Sequence, residues 1–281
     1  MTSYVPRPVL VGVDGPQAAL HALGFAATEA VLRRLPLRIV HIARAGRRAG
    51  RAVVADAAAR VFRRYPDVPI DLHVLGRHRP GPALVEESSH AALTVLGCRG
   101  LGGMSGTLAG SVSSHLACRG YGPVVVVRGD GYIPSGRPIV VGVDGSASSD
   151  RAIGFAFEEA ALRQVPLRAT LVWVHPPLAD LGEVAPPGCS RADAERDAAT
   201  DLEAALTGWR QKYPDVLVQP VLVHSRHPAR KLLAATADAD LIVAGGSGRG
   251  EVRGLLGGSI GHSLVHHAQC PVAIVNGERH R

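Results

Sequence analysis

Residues 8–38 read PVLVGVDGPQAALHALGFAATEAVLRRLPLR, and residues 138–168 read PIVVGVDGSASSDRAIGFAFEEAALRQVPLR. The two segments align without a gap at an offset of 130. In each, a β-branched run ends in V-G-V-D-G, gives way to a helix-period pattern and closes on P-L-R. A strand feeding a helix, repeated at domain-sized spacing, marks a folding unit duplicated in tandem rather than a short-period solenoid.

Within the first copy the alternation continues. VLVGVD (9–14) reads as the first strand and is followed by a helix to about Arg34. LRIVHI (37–42), IDLHVL (70–75), ALTVLG (92–97) and PVVVV (123–127) read as further strands, with helices over 51–65, 82–90 and 110–119 between them. Continuous apolar strands separated by helices imply a parallel sheet covered on both faces, wound by right-handed crossovers. The fold class is therefore α/β: two tandem doubly wound, Rossmann-like domains, each a five-stranded parallel sheet flanked by helices. The expected units are 1–130 and 138–281, with RGDGYIPSGRP (128–138) supplying a linker at about 129–137.

A second motif recurs with the first. GCRGLGGMSGTLAGS (97–111) and GGSGRGEVRGLLGGS (245–259) both reduce to G-x-x-G, nine residues, then G-S, at an offset of 148. The difference of 148 − 130 = 18 residues places an insertion in the second copy, in HPPLADLGEVAPPGCS (175–190) and the longer helix after it. Each glycine run leaves the fourth strand and enters a helix, at the carboxyl end of the sheet where ligands bind in such folds. Glycine lets the backbone come close to an anion, and a helix N-terminus supplies N–H donors and a favourable dipole. Ser111 and Ser259 are natural N-caps whose hydroxyls can also donate to a phosphate oxygen. Asp14 and Asp144, at the ends of the first strands, suit ribose hydroxyls or adenine amino groups; D-G-S-A is equally a helix-start signal. The alternative, that these glycines only turn the chain and these polar residues only cap helices, stays open at this point.

V-G-V-D-G after the first strand, with G-x-x-G-x9-G-S after the fourth, resembles the universal stress protein family in its tandem two-domain, ATP-binding form, over nearly the whole chain. The resemblance implies ATP as the ligand of both halves. It places Val13 and Asp14, and Val143 and Asp144, beside the nucleoside, with Ile42 and Val172 covering adenine and Leu96 and Ala244 adding to that pocket. It assigns the phosphates to Gly97, Gly100, Gly110 and Ser111, and to Gly245, Gly248, Gly258 and Ser259, with backbone from Val112 and Ile260. Arg99 could reach a phosphate in the first copy, where the second has Ser247. Mg2+ carried by the nucleotide needs no dedicated protein ligands. The resemblance further implies that the apolar final strands, PVVVV and PVAIV (271–275), associate, so that the two copies pack as a pseudo-dimer and the chain forms a homodimer.

Composition narrows the remaining classes. The 281 residues are 46% hydrophobic, enough for a sizeable core, with no apolar run near the length of a membrane span. Four cysteines without a C-x-x-C pair fit a reduced, cytoplasmic protein. The net charge of +7 raises nucleic acid as a partner, but GRRAGR (46–51) is the only tight cluster and no aromatics interleave it, which argues against that role. No G-x-x-x-x-G-K-[ST] is present, and G-G-S-I-G (257–261) lies too far from a strand for a nucleophile elbow. His262 and His266 stand at i, i+4 on the last helix without a third ligand in register and read as surface histidines. With binding groups but no positioned base or nucleophile, no catalytic residue is assigned, and any ATP hydrolysis should be slow. The expected role is stress response or regulation through conformation or an unknown protein partner. The competing reading is a scaffold or nucleic-acid-associated protein with structural glycine loops.

Overall fold

The computed structural model describes residues 6–15, 20–43, 46–76, 79–98, 110–128, 135–174, 190–246 and 259–277. The first half runs β1 (Val9–Gly12), α1 (Leu20–Arg33), β2 (Leu37–Ala43), α2 (Arg47–Arg64), β3 (Ile70–Gly76), α3 (Pro80–Ser88), β4 (Leu93–Gly97), α4 (Ser111–Arg119) and β5 (Pro123–Val127). The second runs β6 (Ile139–Val143), α5 (Ala147–Arg163), β7 (Leu167–Trp173), α6 (Arg191–Lys212), β8 (Val218–His224), α7 (Pro228–Ala235), β9 (Leu241–Gly245), α8 (Ser259–His267) and β10 (Val272–Val275). Helix α6 has 22 residues against 18 in α2, the lengthening expected beside the insertion. Residues 175–189 of that insertion lie outside the described residues.

Each half is a parallel five-stranded sheet, and the two join edge to edge into one ten-stranded sheet ordered β3-β2-β1-β4-β5-β10-β9-β6-β7-β8. The junction is antiparallel, with Val124 opposite Ile274 and Val126 opposite Val272. The apolar final strands therefore bury their edges in each other. A side chain from each half then crosses the seam to the other half's helix. Arg128 Nη1 donates to Val265 O on α8 at 2.5 Å, and Asn276 Nδ2 donates to Ala117 O on α4 at 3.2 Å. Arg128 and Asn276 are equivalent under the 148-residue offset, and so are Val265 and Ala117.

Helices α1, α2, α5 and α6 cover one face of the sheet over a continuous apolar core that includes Phe25, Val54, Phe157 and Leu202. In the middle of that layer α1 meets α5 through a buried ionic cluster. Arg33 Nε donates to Glu29 at 2.9 Å and Arg163 Nε to Glu159 at 2.9 Å, each within its own helix. Across the interface Arg33 also bonds Glu159, and Arg163 bonds Glu29, while Arg33 Nη1 reaches Glu158 at 2.6 Å. The guanidiniums lie over aromatic rings of the opposite half, Arg33 at 5.4 Å from the Phe155 centroid and Arg163 at 5.3 Å from Phe25. Burial, then the like charge of Glu159, pushes Glu29 up to about 8. For Glu159 burial acts in the same direction, but Arg33 and Arg163 together outweigh it and hold the carboxyl below its usual range.

Removing one partner from such a cluster strands a buried charge, which costs far more than the cluster contributes net. Arg163→Ala should therefore lower the unfolding free energy by about 3–5 kcal/mol in urea titrations. Glu158→Gln should cost less than about 1 kcal/mol, because its side chain is 43% exposed and its ion pair is screened.

Candidate functional site

The order of the strands reverses beside β1 in one half and β6 in the other, since β1 lies between β2 and β4, and β6 between β7 and β9. At the carboxyl end of this switch point the structure brings Val13, Asp14, Leu96 and Gly97 together, and in the second half Val143, Asp144, Ala244 and Gly245. Gly15 and Gly145, directly after the two aspartates, have φ of 149° and 73°, which only glycine adopts without strain. In the second half Asp144 Oδ1 accepts from Ser146 N at 2.9 Å, and Ser146 caps α5 by accepting from Ser149 N at 3.1 Å. The cap of α5 is therefore Ser146 and not the aspartate, which braces the capping residue by accepting from its N–H.

Helix α4 is tied to the end of β4 by two contacts: Gly110 N donates to Cys98 O at 2.7 Å, and Ser113 Oγ to Gly97 O at 2.7 Å. The expectation that Ser111 is an N-cap is corrected. Gly110 is the N-cap, in extended conformation and making no side-chain bond, and Ser111 is the first helical residue, exposed. The hydroxyl of Ser113 is spent on a strand carbonyl rather than on the helix amides. Among the described residues no side chain caps the first turn of α4, which, like that of α8, holds no acidic residue.

Ile42, Leu96 and Val112 belong to one apolar cluster with Leu84 and Leu116. Ala244 and Ile260 share the corresponding cluster of the second half, whereas Val172 is only partly buried and stands outside it. Arg99, Gly100, Gly248 and Gly258 lie outside the described residues, and for Ser259 only its place at the start of α8 is described.

Two contributions escaped the sequence reading, the close approaches at Gly12 and Gly142 and at Gly245. A Cβ on Gly12 would sit 2.5 Å from Leu96 Cδ2, so the glycine of V-G-V-D is what lets Leu96 lie across β1. At Gly142 the neighbour is Leu232, 3.0 Å from the same point. The repetition of that glycine in both copies was the available signal. Gly245 is pressed against α5, where an added Cβ would come within 2.8 Å of the Ser148 backbone. His41, on β2, places Nδ1 2.8 Å from Val13 O, while the equivalent position in the second half is Leu171. The two candidate sites therefore differ next to the strand-1 aspartate.

The reading of His266 as a surface residue is also corrected. It is buried between α8 and α4, its Nε2 3.2 Å from Ser114 Oγ and its ring 4.2 Å from that of His262. The seam between the halves, which covers it, has no signature in local sequence.

A profile of the universal stress protein family matches residues 44–128 and 136–276. The chain belongs to the universal stress protein family. It is 35% identical over 289 residues to universal stress protein Rv2005c of Mycobacterium tuberculosis, with 95% of this chain and 96% of that protein aligned. Universal stress protein Rv2623 of the same organism is 33% identical over 303 residues, with 95% of each chain covered. Among solved structures, a universal stress protein from Archaeoglobus fulgidus superposes with a TM-score of 0.72 over 97% of this chain and 99% of its own. At 16% identity that likeness concerns the fold: two Rossmann-like universal stress protein units in one chain. Among the described residues no helix is long and apolar enough to cross a membrane.

Burial, then the cationic neighbours His262, His267 and Arg128, lowers the pKa of His266 below its ordinary value. The unfolded chain therefore takes up this proton at a higher pH than the folded one. Stability from this source is complete above about 6.5 and is lost as pH falls toward the depressed folded value. The melting temperature of the wild type should drop between about pH 7.5 and 5.5. His266→Gln, which can still bond Ser114 but cannot be protonated, should flatten that part of the profile.

Proposed function

We propose that each half binds ATP at its switch point and that the protein acts in stress response or regulation by changing conformation or partner with nucleotide occupancy. The observation that carries this reading is the uncapped start of α4, tied to the end of β4 beside Asp14, at one end of a glycine spacing that recurs in the second half. A helix N-terminus whose N-cap makes no side-chain bond favours a phosphate there, and the absence of acid from the first turn leaves its positive end unopposed. In this reading Gly97, Gly100, Gly110 and Ser111, with Gly245, Gly248, Gly258 and Ser259, hold the phosphates, and Arg99 reaches them in the first half. Val112 and Ile260 contribute backbone. The base lies against Ile42 and Leu96 in one half and Val172 and Ala244 in the other, with Val13, Asp14, Val143 and Asp144 beside the nucleoside. A Mg2+ ion would enter with the phosphates. The two units extend over 1–130 and 138–281.

Freshly purified protein should release ATP on denaturation, identified by mass spectrometry, at about two per chain if both sites fill. Gly110→Val, which closes the approach to the first loop, should halve that amount with the circular dichroism spectrum retained. If no nucleotide is released and added ATP gives no binding heat, the glycine loops are structural and the scaffold reading replaces this one.

A further inference from the structure

At the amino ends of the strands, away from the switch points, a cleft of about 470 Å3 opens between the halves. Arg7 before β1, Leu35 before β2, Ala92 before β4 and Pro123 at the start of β5 line it, and Glu158 and Leu162 of α5 face it from the second half. Its volume lies within the roughly 300–1,000 Å3 of small-molecule pockets.

The second half covers the equivalent position with its own chain. Ala92 N donates to Pro8 O at 2.9 Å and Asp240 N to Pro138 O at 3.1 Å, so Ala92 and Asp240 hold the same place in the fold. Asp240 is buried, and its carboxylate accepts from Ser135 N at 3.0 Å, Ser135 Oγ at 2.5 Å and Gly136 N at 3.1 Å. The linker is thereby tied to the start of β9. Neither end of that tie exists in the first half. Ala92 has no carboxylate, and Pro6, equivalent to Gly136 under the 130-residue offset, has no N–H to donate.

Charge at the open cleft favours one kind of occupant. Arg34 lines it where the second half has Gln164, and among the described residues the Arg34 side chain makes no ion pair. Arg7 and Arg33 line it as well. Glu158 is the only acid among the lining residues, and Arg33 Nη1 already holds it at 2.6 Å. Leu35, Pro123 and Leu162 supply an apolar wall.

We propose that this cleft binds a small organic anion, a carboxylate or phosphomonoester with an apolar body. A guanidinium meets either anionic group with paired N–H donors, while the apolar wall takes the remainder of the molecule. A neutral or cationic ligand would leave Arg34 unanswered. Because the lining comes from both halves, the bound anion touches both, beside the arginine that ties α1 to α5.

Phenyl phosphate and phenylacetate are suitable probes, with benzyl alcohol as the neutral control. Binding to the full chain is read from the methyl resonances of Leu35 and Ala92, in the cleft, and of Leu96, at the candidate nucleotide site. Both anions should shift Leu35 and Ala92 in a saturable way, and the alcohol should not. Arg34→Gln should weaken that binding about tenfold, the loss of one charged hydrogen-bonding partner. The backbone tolerates this change, since Arg34 and Gln164 share a left-handed conformation with φ of 53° and 55°. Ala92→Asp, which puts the second half's carboxylate into the cleft, should abolish the Leu35 shift with the circular dichroism spectrum retained. A wild type whose Leu35 and Ala92 methyls do not respond to either anion at about 10 mM overturns the proposal. So does an affinity that Arg34→Gln leaves unchanged. Shifts confined to Leu96 assign the probes to the other end of the sheet and overturn it as well.

Discussion

The antiparallel ladder between β5 and β10 makes each half the cover for the other's open sheet edge, and the remaining contacts across the interface inherit its two-fold relation. Arg33 and Arg163 can each hold a glutamate of the other half only because α1 and α5 are brought face to face beside that ladder. The interface is polar at its centre, which is costly, since the four ionisable side chains of the symmetric cluster leave water. Its specificity comes from the same source. Any slip of α1 along α5 would strand carboxylates and guanidiniums in an apolar layer, so one register is selected sharply.

On this symmetric frame the two halves have diverged where symmetry is not needed. Arg128 and Asn276 do the same work at equivalent positions with different chemistry, each donating to a helix carbonyl of the other half. His41 braces Val13 where the second half has Leu171, and serines 146, 148 and 149 brace Asp144 and α5 where the first half begins P-Q-A-A. Residues at the seam hold their roles. Residue types around the strand-1 aspartates differ between the halves.

Much of this was legible in the sequence because buried parallel strands write themselves as unbroken β-branched runs. The second, third and fifth strands of the first half were found within a residue of their bounds. Helix α2 was placed four residues late, from Arg51, because GRRAGR looks like a charged loop. In the structure Gly50 is a helical residue at a close approach, its missing Cβ lying 2.7 Å from Val74 and 2.9 Å from His41. Strand β1 stops at Gly12, short of the expected Asp14, since the aspartate belongs to the turn. The placement of Val13, Asp14, Leu96 and Gly97 at strand ends follows from topology and is readable from the order of elements. The α1–α5 cluster was visible only as two E-x-x-x-R helices, because a partner 130 residues away leaves no local trace.

The pairing of α4 with α8 has a mechanical consequence for the two glycine loops. The helices are antiparallel, as the seam requires, and each has nine residues, a length of about 14 Å. Ser114, in the first turns of α4, meets His266, in the last turn of α8. The same relation sets His262, early in α8, toward Cys118, late in α4, and all four side chains line one small cavity. The helix that starts at one loop therefore ends beside the start of the other. A ligand that draws the N-terminus of α4 toward its loop must carry Ser114 along or break its contact with His266, and α8 begins at the second loop. Packed interiors transmit such shifts because they have no slack to absorb them. If each loop holds a nucleotide, as proposed, coupling between them, measured as a change in affinity at one when the other is filled, would have its shortest route through these two helices.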